Sequence, residues 1–113
     1  IKYQSAQATL NEHAASLQTE FTQPEALITI NEPVAPESSV VFSAGSLPGD
    51  LQRLWNPAIP NTYHLEYGYS CMGYEINAAL GAKMAATNNQ EVYSIVGDGS
   101  FWMSHSELLT SLQ

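Results

Sequence analysis

Three short apolar runs, each ending in a glycine-containing turn that opens onto a helical pattern, constrain this chain more than anything else in its sequence. Ser39-Val40-Val41-Phe42-Ser43 is β-branched and apolar, the composition of a strand buried on both faces. It runs into Ala44-Gly45-Ser46-Leu47-Pro48-Gly49-Asp50, after which Leu51, Leu54 and Trp55 fall on one face of a short helix. Tyr63 to Tyr67 reads as a second strand and Gly68 to Gly73 as a turn. A helix then spans about Tyr74 to Ala86, with Ile76, Leu80 and Met84 at i, i+4, i+8. Val92 to Val96 is the third strand and runs into Gly97-Asp98-Gly99-Ser100. Ser104-x-x-Glu107 caps a last helix whose Leu108, Leu109 and Leu112 face inward. Upstream, Thr22-x-x-Glu25 with Pro24 at the first helical position starts a helix that Pro33 and Pro36 end. Residues 1–21, polar and rich in Ala and Gln, read as a linker or leading helix, and residues 22–113 as one domain.

Strands that alternate with helices pair in parallel. The expected fold is therefore α/β, a three-layer open parallel sheet with helices on both faces. Ligands of such sheets sit beyond the carboxyl ends of the strands, near a switch in strand order. All three strands deliver a glycine loop to that edge. The helix from Tyr74, small and apolar nearly all round, is expected to be buried on the sheet and against a further partner.

Only 12 % of residues are charged, against about 25 % in a typical soluble domain, so part of this surface is expected to be covered by other protein. The expected partners are the remaining domains of a longer chain and further copies in a homo-oligomer. Net charge is −8, and Lys2, Arg53 and Lys83 are the only Lys and Arg residues, which argues against nucleic acid and against an acidic membrane surface. An anionic ligand would have to be held by backbone N–H groups, helix N-termini or a metal ion. No run approaches the ~18 apolar residues of a membrane span. Cys71 is alone, so no internal disulfide forms, and a reducing, cytoplasmic compartment is the default. The missing initiator Met and the helical pattern still running at Leu112-Gln113 read as cuts within a longer protein.

The third loop carries the sharpest chemistry. Asp98 stands at the carboxyl edge as an oxygen donor of the kind Mg²⁺ prefers. Gly97 and Gly99 let the backbone approach a phosphate, to which the N–H groups of Gly99 and Ser100 can donate. A bare Gly-Asp-Gly is more often a hairpin turn, but a helix follows here rather than a returning strand. In the second loop Met72 reads equally as core filler and as a platform for a ligand. In the first, Ser46 reads as an ordinary N-cap or as part of a phosphate cradle. His13, His64 and His105 lack metal-ligand spacing, Cys71 lacks a triad pattern and reads as packing, and Arg53 and Lys83 read as solvated. No G-x-G-x-x-G follows the first strand, which disfavours a nucleotide-binding Rossmann unit. A non-catalytic α/β binding module is the rival from another functional class.

The strand, Gly97-Asp98-Gly99-Ser100 and the following helix resemble the diphosphate-binding domain of thiamine diphosphate (ThDP) enzymes. The stretches Ala44–Trp55 and Asn61–Ile76 narrow the resemblance to the acetolactate synthase-like branch, and there to the cyclic-dione hydrolases of inositol catabolism, some of which have been labelled malonate-semialdehyde decarboxylases. It covers roughly residues 22–113. The resemblance implies Asp98 as a Mg²⁺ ligand, with Gly97, Gly99 and Ser100 at the diphosphate and Gly45, Ser46 and Leu47 touching its other side. It implies that the Ser70 carbonyl and the Met72 N–H meet the pyrimidine, with the Met72 side chain between the two cofactor rings. The implied reaction breaks a C–C bond of a cyclic dione with water, the cofactor serving as electron sink; a synthase or decarboxylase of 2-oxo acids is the alternative in the same branch. The Asn-Asn pair that completes the family's metal motif is expected beyond Gln113, since Asn88-Asn89 precedes Asp98. The glutamate that activates the pyrimidine belongs to another domain, and Glu66 and Glu75 are not candidates for it. The chain alone is therefore expected to be inactive and to bind Mg²⁺·ThDP weakly.

Overall fold

A computed structural model describes residues 8, 9, 12, 21–87 and 89–113. The reading of residues 1–21 as a linker or leading helix falls mostly, and His13 wholly, outside the described residues. Two compact units are present, one comprising the described residues up to Val34 together with Gly49–Asn56, the other those of Ala35–Pro48 together with Pro57–Gln113.

In the first unit, α1 (Gln23–Asn31) begins on the capping box read from Thr22 and Glu25. The Glu25 N–H donates to Thr22 Oγ1 and the Thr22 N–H donates to Glu25 Oε2, at 3.4 and 2.8 Å. Two donors that the helix cannot satisfy itself are thereby used. Gln23 Nε2 donates to Asp50 Oδ2 at 2.6 Å, tying α1 to the segment Gly49–Asn56. Leu27, Leu51, Leu54 and Trp55 are the buried apolar side chains here. The helix α2 (Leu47–Leu54) starts earlier than the Leu51 face marks. Pro48 is compatible with that start, because its missing N–H falls in the first turn, where no intrahelical acceptor exists.

The second unit holds a parallel sheet of β1 (Ser39–Phe42), β2 (Tyr63–Leu65) and β3 (Val92–Ser94) in the order β2-β1-β3. Val40 pairs with Tyr63 on one side and with Tyr93 on the other. All four residues of β1 are buried, as a central strand covered on both faces requires. Burial of Val40, Val41 and Phe42 stabilises the sheet by about 1.5–3 kcal/mol each. Phe42 and Tyr63 meet edge to face at 4.7 Å. The connection from β1 leads to β2, and that from β2 crosses back to β3, so the strand order switches at β1. The parallel α/β sheet expected from the alternation is therefore present.

The helix α3 (Tyr74–Ala85) packs on β1 and β3, but only Glu75 and Ile76 are buried and Met84 is 81 % exposed. The expectation that it is buried is corrected accordingly: the sheet and the helices that follow β3 cover part of it, and the described residues leave the face with Met84 open. The end of the chain is corrected too. A helix α4 (Asp98–Ser104) begins at Asp98 itself, and a short α5 (Glu107–Thr110) follows. Ser104 ends α4 rather than capping its successor. Leu108, Leu109 and Leu112 are 46, 68 and 83 % exposed instead of facing inward. Gly97, extended at φ −74°, ψ 160°, is the N-cap that permits the early start. Among the described residues no helix is long and apolar enough to cross a membrane.

Candidate cofactor site

Because the sheet is parallel, the loops after β1, β2 and β3 leave from one edge. The first loop, Ser43 to Ser46, turns at Gly45, whose φ of +86° is the left-handed conformation that glycine adopts without a Cβ penalty. Gly45 and Ser46 are exposed, and Leu47 opens α2.

The second loop, Glu66 to Gly73, is shaped by an acid that sequence reasoning set aside. Glu66 Oε1 accepts the Tyr69 N–H and Oε2 accepts the Cys71 N–H, both at 2.8 Å. β2 ends at Leu65, short of the Tyr67 expected from the apolar run; the Glu66 N–H still donates to the Phe42 carbonyl at 3.4 Å, and beyond it the carboxylate gathers the chain into a turn. Between them Ser70 sits at φ +52°, a conformation that costs a non-glycine residue ~1–2 kcal/mol. The Tyr69 N–H first, then the Cys71 and Ser70 N–H groups, hold the Glu66 carboxyl below its ordinary 4.5. A depressed folded-state pKa gives stability that is present above the unfolded value and is lost as pH falls through the folded one. The loop is therefore expected to keep its shape down to about pH 4.5 and to loosen below it. Amide NMR shifts of Tyr69 and Cys71 should report one shared acid titration, absent in Glu66→Gln.

Two contacts fasten the second loop to the first. Ser43 Oγ, buried at the end of β1, donates to the Cys71 carbonyl at 3.0 Å. Glu75, 1 % exposed, accepts the Ala44 N–H on Oε1 at 3.3 Å and the Gly73 N–H on Oε2 at 3.0 Å. The Cys71 side chain is itself exposed, which corrects its reading as packing; the residue's contribution is its backbone.

The third loop meets the second through small atoms. A Cβ on Gly99 would lie 2.9 Å from the Met72 methyl, and a Cβ on Gly73 would lie 2.6 Å from Ser104 Oγ. Met72 thus lies against the first turn of α4 with 47 % of its surface open, neither plain core filler nor fully exposed. The first bond within α4 runs from the Phe101 N–H to the Gly97 carbonyl at 2.9 Å. The N–H groups of Asp98, Gly99 and Ser100 precede it and have no acceptor within the helix. The Asp98 side chain is exposed at this end, while Ser100 is buried.

Of the residues singled out in the sequence, Gly45, Ser46, Ser70, Met72 and Gly97 therefore lie on the loops of one sheet edge, with Leu47 at the first residue of α2 and Asp98, Gly99 and Ser100 in the first turn of α4. The setting fits an anionic cofactor met by backbone donors and one carboxylate. Lys83 lies elsewhere, its Nζ donating to the Gln90 carbonyl at 2.6 Å, just before β3 starts. Asn89 shares that opposite edge, lining an open cleft with Gln90 and Glu91, so it does not complete the set at Asp98; Asn88 lies outside the described residues. His64 is in β2, and His105 is exposed with Nδ1 2.9 Å from the Trp102 carbonyl. Among the described residues no three His, Cys, Asp or Glu side chains assemble into a metal site. A cation at Asp98 would draw its other ligands from water, phosphate oxygens or residues beyond those described.

A parallel sheet with glycine loops at its carboxyl edge defines an α/β ligand-binding domain, and the chain belongs to the thiamine pyrophosphate enzyme, C-terminal TPP binding domain family, which matches residues 43–113. Over its whole length it is 87 % identical to a 3D-(3,5/4)-trihydroxycyclohexane-1,2-dione hydrolase of Listeria monocytogenes serovar 1/2a. Proteins of the same name from Halalkalibacterium halodurans and Bacillus subtilis are 62 % and 61 % identical over all 113 residues. In each case the chain spans 18 % of the relative's length.

Proposed function

We propose that this chain supplies the diphosphate- and pyrimidine-facing loops of a ThDP- and Mg²⁺-dependent enzyme that opens the ring of a cyclic trihydroxy-dione by C–C hydrolysis. The observation that carries the cofactor reading is the convergence of three glycine loops at one sheet edge within a TPP-binding domain. The substrate reading rests on the activity for which relatives that match along the whole chain are named. When bound, ThDP supplies the electron sink for breaking a carbon–carbon bond. Asp98 would ligate Mg²⁺, and the Gly99 and Ser100 N–H groups would hold phosphate oxygens, with Gly97 letting the backbone come close. Gly45, Ser46 and Leu47 would contact the far side of the diphosphate. The Ser70 carbonyl would accept from the pyrimidine amino group, and the Met72 N–H would donate to the ring.

The second metal-motif half and the activating carboxyl would come from the remaining four-fifths of a protein as long as these relatives. Exposed Met84, Trp102, Met103, Leu109 and Leu112 support cover by further domains or by a second copy in a homo-oligomer. By itself the chain would be inactive and bind Mg²⁺·ThDP weakly. The test is turnover by a full-length protein carrying this chain, with Mg²⁺ and ThDP, on a cyclic trihydroxy-dione and on pyruvate. Ring opening that requires both cofactors is the expected result. Turnover of pyruvate alone would move the reading to 2-oxo acid chemistry, and no cofactor-dependent turnover of either would overturn it.

A further inference from the structure

Among the described residues Glu75 is the one acid with a fully buried side chain, and no role in the chemistry above uses it. An isolated buried carboxyl is costly unless its oxygens are hydrogen-bonded. Here each oxygen has a separate backbone donor, and the two donors lie on different loops: Ala44 directly before Gly45, and Gly73 directly after Met72. Ser43 makes a second tie between the same loops through the Cys71 carbonyl. Two N–H donors cannot bond each other, so joining Ala44 to Gly73 takes a bridging acceptor, and a carboxylate offers a separate oxygen to each.

Resting on the ThDP reading, we infer that Glu75 is a positioning residue that sets the spacing between the diphosphate-facing loop at Gly45 and the pyrimidine-facing loop at Ser70–Met72, so that both ends of one cofactor are met at once. Two loops fixed in advance bind a bent ligand without first losing conformational freedom, and a gap between them that drifts returns that cost to binding. Glu75 touches no cofactor atom in this scheme and acts only through the backbone of its neighbours. The helix start alone does not require it: Gly73 caps α3 with no side-chain bond, and Tyr74 N–H already finds the Cys71 carbonyl at 3.3 Å.

The experiment uses a full-length protein carrying this chain, as wild type, Glu75→Gln and Ser43→Ala. ThDP affinity at saturating Mg²⁺ is measured by calorimetry, and the near-UV circular dichroism of the bound cofactor is recorded beside thermal unfolding. Gln keeps the shape but turns one acceptor into a donor that faces an N–H. Glu75→Gln is expected to bind ThDP ~10-fold or more weakly, the equivalent of one lost hydrogen bond to a charged group, and to change the sign or size of the cofactor dichroism. Ser43→Ala, which removes the lesser tie and leaves both bonds of Glu75 in place, is expected to bind roughly 3-fold more weakly; it carries the test if Glu75→Gln does not accumulate folded. Wild-type affinity and dichroism in the variants, with only a lower melting temperature, would overturn the inference and leave Glu75 a support of the fold. Failure of the wild type to bind ThDP would instead overturn the cofactor reading beneath it.

Discussion

Asp98→Ala in a full-length protein carrying this chain should weaken Mg²⁺-dependent ThDP binding by ~100-fold or more and lower turnover with it, while hardly moving the melting temperature. Groups that merely orient a metal ligand account for ~10–100-fold in affinity, so a ligand itself belongs at or above the top of that range. Nothing nearby replaces it. The chain has three Lys and Arg residues, and of these Lys83 is engaged at the opposite edge of the sheet. A diphosphate held mainly by neutral N–H groups depends on the cation for its charge balance. Stability should change little, because Asp98 is exposed and a carboxylate in the first turn of a helix is worth only ~0.3–1 kcal/mol. Calorimetric titration of ThDP at rising Mg²⁺, beside a denaturation curve, separates the two effects. Equal binding by the variant at all Mg²⁺ concentrations would remove Asp98 from the metal site.

Much of this site was legible because the signals are local. A β-branched run followed by glycine and a helical pattern fixes a strand and its exit loop, and parallel pairing then carries all such exits to one edge without further information. Thr22 and Glu25 announced a capping box that the structure contains. What was not legible depends on partners distant in sequence. Glu75 stands 31 residues from Ala44, and no spacing rule links an acid to a backbone N–H across a sheet. A clue was nonetheless present: a single acid at the start of an otherwise small and apolar helix must be partnered if it is buried. Glu66, followed at once by a glycine-containing loop, carried a weaker one. The misplaced final helix has a different cause. Ser104 and Glu107 match a capping box, but Gly97 and Asp98 offer a start seven residues earlier, and a helix already running through Ser104 leaves that box nothing to cap. The leucines beyond it follow the helical period faithfully; their exposure means that the period identifies a face without identifying what covers it.

Gly73→Ala combines two penalties of different origin, and they can be measured apart. The residue caps α3 at φ +91°, where alanine pays ~1–2 kcal/mol in backbone strain. The added Cβ would also stand 2.6 Å from Ser104 Oγ and 3.4 Å from Ser104 Cβ and Met103 Cβ. The last two are ordinary van der Waals distances, so the steric share comes from the serine hydroxyl, which must move aside at a further ~1–2 kcal/mol as for other overpacked sites. A total of ~2–4 kcal/mol is large against the ~5–15 kcal/mol that holds a domain folded. Ser104→Ala in the same chain should recover most of the steric part, which is the hydroxyl's, and leave the backbone part intact. The double-mutant cycle in chemical denaturation thus reads the contact between the second loop and α4 directly. Strict additivity of the two substitutions would mean that loop and helix do not touch there, and the gap that Met72 closes against Gly99 would then have to be held by that side chain alone.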